Sequence, residues 1–189
     1  MKKERNIQMS DIVILSGSPS ENSRTQSVLN FMGALLEKEN YNVTYLSVRD
    51  VPSEDLMFGN FNGIEVTQIS SQLKNAKGVI VGSPIYKSSY SGVLKALIDI
   101  LPQDILQNTP VLPVMTGGSP SHLLALEYTL KPLLATLKGK NLKGLYFTEQ
   151  QIEKGSLYPI IDEDVLNRTR KQLNYFIELI NNERVLQTI

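Results

Sequence analysis

The chain has 189 residues, of which 41% are hydrophobic and 20% charged, a composition that fits one globular domain with a full core. Nineteen basic residues balance nineteen acidic ones, so the overall charge marks neither a nucleic-acid nor an anionic-membrane partner, although a local anion site stays open. With no cysteine and a single histidine, His122, the chain excludes disulfides, thiolate catalysis, iron–sulfur clusters and histidine-rich metal sites. No apolar run approaches the ~20 residues of a membrane span, and Met1–Met9 lacks the apolar core of a signal peptide. A cytoplasmic protein is expected, with a flexible tail over residues 1–10, one domain over 11–182 and a short tail over 183–189.

The elements alternate. Asp11–Leu15 is a β-branched run stopped by Ser16-Gly17-Ser18-Pro19, the pattern of a buried strand. From Ser23 the period becomes helical, with Val28, Leu29, Met32, Leu35 and Leu36 on one face as far as Asn40. Val43–Val48 is a second strand. Val51–Gly63, punctuated by Pro52, Gly59 and Gly63, reads as a long loop with room for one turn. Ile64–Asn75 is a helix and Gly78–Gly82 a fully apolar strand. A helix over Tyr90–Leu101, a strand over Pro110–Thr116, a helix to Leu137, a strand over Lys143–Phe147 and a closing helix over Asp162–Asn182 complete the order. Five strands alternating with five helices predict an α/β fold with a parallel sheet and right-handed crossovers.

Ligands of such a sheet bind beyond the carboxyl ends of its strands, and three unusual loops leave those ends. The first, Ser16–Thr25, brings Ser16, Ser18, Ser23, Arg24 and Thr25 to a helix N-terminus, a natural anion site. Ser23 reads equally well as a plain helix cap. Neither the dinucleotide glycine motif nor the nucleoside-triphosphate loop is present. The second, Ser83–Gly92, carries Pro84, Ile85, Tyr86 and Lys87, a stiff and partly aromatic wall suited to a flat ring. The third, Thr116-Gly117-Gly118-Ser119, lets backbone N–H groups approach a ligand closely, although a tight turn alone would explain the paired glycines. Together the loops offer a phosphate end and two walls around a ring, which suits a mononucleotide.

LSGSP (Leu15–Pro19), EDLMF (Glu54–Phe58), GVIVGSPIY (Gly78–Tyr86), YSGVLKALIDIL (Tyr90–Leu101), LPVMTGG (Leu112–Gly118) and HLLALEYTLKPLLATL (His122–Leu137) carry a resemblance over Ile12–Phe147. The chain resembles the NADPH-dependent FMN reductase family, in particular the reductases of two-component alkanesulfonate monooxygenase systems. The resemblance implies a flavodoxin-like three-layer sandwich, its five-stranded parallel sheet in the order 2-1-3-4-5 with helices on both faces. It implies reduction of FMN by NADPH or NADH, the expected partners being an FMNH2-dependent monooxygenase and further copies of the chain in a homodimer or homotetramer. The family's first loop commonly reads GSPR; here Ser20 replaces the arginine, leaving Arg24 as the substitute phosphate contact.

Hydride transfer between two cofactors requires no protein acid, base or nucleophile, so no catalytic side chain is assigned. Ser18, Ser23, Arg24 and Thr25 are expected at the phosphate, Pro84–Lys87 beside the ring, and the N–H groups of Gly117 and Gly118 at the charge of reduced flavin. His122 could face the flavin edge, but a cap or surface contact is the commoner role. Rival readings are a quinone or azo-dye reductase that retains its FMN, and a flavodoxin-like electron carrier. The segment Leu123–Leu137 is apolar nearly all round, more than one sheet face requires, so a second copy is expected to cover its outer side. Pro132 removes a helical N–H and predicts a distortion one turn earlier, near Tyr128. The resembling reductases carry a tyrosine there, in a widened turn at an oligomer interface, which implies a flavin-exchange role for Tyr128.

Overall fold

Strand β1 (Ile12–Ser16) is buried at every position, as a β-branched run between two helical layers must be. It pairs in parallel with β2 (Val43–Ser47) on one side and β3 (Gly78–Pro84) on the other, and β3 continues to β4 (Pro110–Gly117). The outer edge of β4 carries two short parallel strands, β5 (Lys140–Asn141) and β6 (Leu145–Thr148). The positions follow the order 2-1-3-4-5, with the fifth divided between β5 and β6. The expected strand Lys143–Phe147 is therefore corrected. Gly144, at φ 82°, sits where an added Cβ would lie 2.8 Å from the Pro113 carbonyl, so the chain kinks there and pairing resumes only at Leu145. This computed structural model describes residues 11–187. The expected tail over 1–10 and the last two residues of the expected C-terminal tail lie outside the described residues.

Alternation within the strands divides the core. Ile12 and Ile14 face one layer, where α1 (Arg24–Lys38) supplies Val28, Leu29, Met32 and Leu36. Val13 and Leu15 face the other. There α3 (Ile64–Asn75) packs through Val66, Ile69 and Leu73, and α4 (Gly92–Asp99) through Leu94, Leu97 and Ile98. Between β2 and α3 lies α2 (Ser53–Phe58), within the stretch read as a loop; it buries no residue, so it offered no apolar periodicity, and Gly59 at φ 67° stops it.

The fourth expected helix is composite. A 3₁₀ turn at Pro120–His122 leads into α5 (Leu123–Ala125), a π-helical turn over Leu126–Leu130, and α6 (Lys131–Thr136). The widened turn lies where loss of the Pro132 N–H predicts it. Ala125, Leu126, Leu130 and Leu134 are buried, whereas Leu123, Leu124 and Tyr128 are exposed, Tyr128 at 75%. The closing helix α7 (Glu163–Gln187) runs past the expected stop at Asn182 and joins the α1 layer through Val165, Leu173, Phe176 and Ile180. No helix among the described residues is long and apolar enough to cross a membrane.

Candidate functional site

Parallel register brings the three loops to one edge of the sheet. Ser16 pairs with Gly82, and Pro84 with Thr116, so β1, β3 and β4 end side by side. Hydrogen bonds then tie each loop to the others. The Ser91 hydroxyl donates to the Gly17 carbonyl, joining the second loop to the first. The Ile85 N–H donates to the Thr116 carbonyl at 2.8 Å, joining the second to the third. The Thr25 and Thr116 hydroxyls meet at 2.6 Å, joining the first to the third. Each of these bonds closes a long stretch of chain, so the loops hold one shape as a set.

In the first loop most hydroxyls serve this local architecture. Ser23 caps α1, its Oγ accepting from the Gln26 N–H at 3.1 Å. Ser18 is fully buried; its Oγ donates to the Ser20 carbonyl at 2.9 Å and accepts from the Ser20 N–H at 3.2 Å. Ser16 and Thr25 are buried too. Arg24 opens α1 and reaches outward, its Nη1 3.3 Å from Glu149 Oε2, while its Nε is buried without a hydrogen-bond partner.

The second loop turns sharply. Tyr86 and Ser89 exchange both backbone hydrogen bonds, and the residues between them, Lys87 and Ser88, sit at φ 49° and 63°. Positive φ at both central positions is the type I′ arrangement, adopted here without the glycine that usually relieves it. The turn holds Tyr86 half exposed at its base, behind the buried Pro84 and half-buried Ile85.

The third loop is shaped by Tyr146, on the neighbouring edge strand β6. Its hydroxyl donates to the Ser119 carbonyl. Burial, reinforced by the Glu149 carboxylate, pushes that hydroxyl above the usual phenol range, so it remains a neutral donor. A Cβ on Gly117 would lie 2.8 Å from Tyr146 Oη and 3.2 Å from Ile85 Cδ1, so no side chain fits there; Gly118 beside it is exposed. Ser119 caps the turn that follows, accepting from the Ser121 N–H at 3.2 Å. His122 is half-buried at the start of this composite helix, its Nδ1 without a partner. Tyr128 lies in the widened turn of that helix and is exposed.

Sequence reasoning named the three loops but missed Tyr146 and Glu149. Both follow from the end of the fifth strand position, which is itself a carboxyl end of the sheet. That placement was one available signal, and Thr148-Glu149-Gln150-Gln151, which has the spacing of a capping box, marks the turn that carries Glu149.

Comparison with known proteins agrees with this fold. Residues 10–154 match the family model of NADPH-dependent FMN reductases. The FMN reductase (NADPH) of Pseudomonas putida is 39% identical over 142 residues, which cover 75% of this chain and 72% of the relative. The enzyme of the same description from Escherichia coli is 38% identical over 142 residues, covering 75% and 74%. Among solved structures, the apo form of the NADH:FMN oxidoreductase EMOB superposes with a TM-score of 0.79 at 34% identity, covering 88% of each chain. The chain belongs to the NADPH-dependent FMN reductase family, flavodoxin-like oxidoreductases whose cofactors are FMN and a reduced nicotinamide.

Proposed function

We propose that the chain takes up free FMN, reduces it with NADPH or NADH and releases it to a separate FMNH2-dependent monooxygenase of sulfonate or sulfur acquisition, working in the cytoplasm. The observation that carries the reading is the joined triplet of loops, with an unpartnered arginine Nε at one end and the exposed Gly118, next to the close-packed Gly117, at the other. This donor set fits FMN. Arg24 and the positive end of α1 suit the phosphate, with the Ser23 cap holding that end in shape. Pro84, Ile85 and Tyr86 would border the ring, and Lys87 lies at the tip of their turn. The N–H groups of Gly117 and Gly118 would stabilise the negative charge that collects on the flavin on reduction. Ser16, Ser18, Thr25, Thr116 and Ser119 support these groups through the bonds that shape the loops.

When bound, the two cofactors supply the hydride donor and its acceptor. The chain orients the rings, excludes water from one face and stabilises charge; no side chain exchanges a proton with the reacting atoms. Known relatives of this chain use NADPH, and a structural neighbour uses NADH, so either nicotinamide is kept. The test is kinetic. FMN should behave as a saturable substrate and be lost from the protein on gel filtration. A yellow protein whose FMN survives dialysis, coupled to fast quinone reduction, would replace this reading with a retained-flavin reductase.

The chain is further proposed to assemble as a homodimer or homotetramer through the widened turn. Tyr128, Leu123 and Leu124 are exposed, and Leu123 and Leu124 line a groove of about 430 Å³ that also takes in Leu126, Tyr146 and Arg168. An outer helix that leaves these side chains in water lacks a cover. Tyr128→Ala should loosen the oligomer, hold FMN longer, or both, as read by light scattering and by flavin dissociation rate. A wild-type monomer at micromolar concentration would contradict this assembly.

A further inference from the structure

We infer that Glu149 governs how long FMN stays bound, by competing with its phosphate for Arg24; the inference rests on the flavin-site reading above. Glu149 reaches into that site from the far strand of the sheet. Its Oε2 lies 3.3 Å from Arg24 Nη1, and its Oε1 would lie 3.9 Å from a Cβ on Gly118. The carboxylate therefore stands between the first and third loops. Arg24 is the one basic residue of Ser16–Thr25, because Ser20 occupies the position where the resembling family commonly has arginine. A dianionic phosphate seated on Arg24 must approach this carboxylate.

The backbone that carries Glu149 is anchored. The Thr148 N–H donates to Gln151 Oε1 at 3.0 Å, and Gln151 Nε2 donates to Asp162 Oδ2 at 3.0 Å. Asp162 in turn accepts from the Val165 N–H at 3.0 Å and so caps α7. The chain beyond this turn also folds back over α1, where the Gly155 N–H donates to Ser27 Oγ at 3.2 Å. The carboxylate consequently cannot leave with its backbone when FMN enters; only its side chain can swing. Both partners of the ion pair are substantially exposed, at 39% and 51%, so the pair itself is weak and opens readily. What persists after it opens is the like charge beside the phosphate. Such a carboxylate lowers affinity and speeds departure without touching the flavin ring, which suits an enzyme that must give its flavin away.

The experiment is a fluorescence titration of FMN and of riboflavin with the wild-type chain and with Glu149→Gln, each at low and at high salt. Neutralising a charge near a phosphate should tighten FMN about 3- to 10-fold at low salt, with much of the gain lost at high salt. Riboflavin, which lacks the phosphate, should change by less than about 2-fold, since no charge is then opposed. The FMN dissociation rate should fall in proportion. Equal tightening of both flavins would overturn the inference in favour of a ring contact. Weaker FMN binding by the variant would overturn it the other way, making Glu149 a residue that holds Arg24 ready. A wild-type protein that binds no FMN would instead remove the flavin-site reading itself.

Discussion

Arg24→Ala is expected to weaken FMN binding by roughly 10- to 100-fold, because a hydrogen bond to a charged group contributes about 1.5–3 kcal/mol. The substitution removes the loop's one guanidinium, including the Nε that is buried without a partner. It leaves the Ser23 cap in place, since that cap uses the Ser23 hydroxyl and the Gln26 N–H. Riboflavin affinity should hardly move. Parallel titrations of the two flavins read the result, and equal losses for both would exclude the phosphate role. Combined with Glu149→Gln, the loss from Arg24→Ala and the gain from Glu149→Gln should not simply add, because the two side chains share one interaction.

Phe176→Ala should cost about 3–5 kcal/mol of unfolding free energy, the range for removing a fully buried aromatic side chain. Phe176 is 0% exposed and belongs to the α1–α7 core layer. It lies so close to β3 that a Cβ on Gly78 would be 2.6 Å from its Cζ, so the sheet cannot close over the cavity by a small shift. Urea unfolding measures the loss through the midpoint at unchanged slope. A loss below about 1 kcal/mol would mean that the layer repacks freely, contrary to the close approach seen here. In the folded fraction the ratio of FMN to riboflavin affinity should stay as in the wild type, since this residue belongs to the core layer rather than to the three loops.

Much of this architecture was legible because local chemistry and tertiary packing agree. Ser23 announces the start of α1 as a cap, and it caps. The run Gly78–Gly82 is apolar at every position because helices cover both faces, and β3 is buried throughout. Pro132 marks the widened turn through a rule of backbone hydrogen bonding alone. Where reading failed, the deciding force was not local. The helix α2 has no buried residue, so it left no apolar stripe between the flanking Pro52 and Gly59. The fifth strand position breaks because Gly144 passes close to Pro113 of the adjacent strand, a contact that no pattern in 140–147 records.

The site divides in the same way. Its three loops were visible as strand-end punctuation, but their mutual bonds join residues far apart in the chain, as Thr25 joins Thr116. Several hydroxyls expected at the phosphate also make hydrogen bonds within the loops, as Ser18 does with Ser20. Glu149 and Tyr146 lie on the far side of the sheet from the first loop in sequence order, and their charge and hydroxyl matter only once β6 is placed beside β4.

The central claim, that free FMN is turned over and released, is tested most directly by counting. The purified chain is mixed anaerobically with excess FMN and excess NADPH or NADH, and the bleaching of flavin absorbance is followed to its end. Many equivalents of FMN reduced per chain, at a rate that saturates with FMN, are predicted. Bleaching that stops at one equivalent per chain, with the remaining free flavin still oxidised, would contradict it.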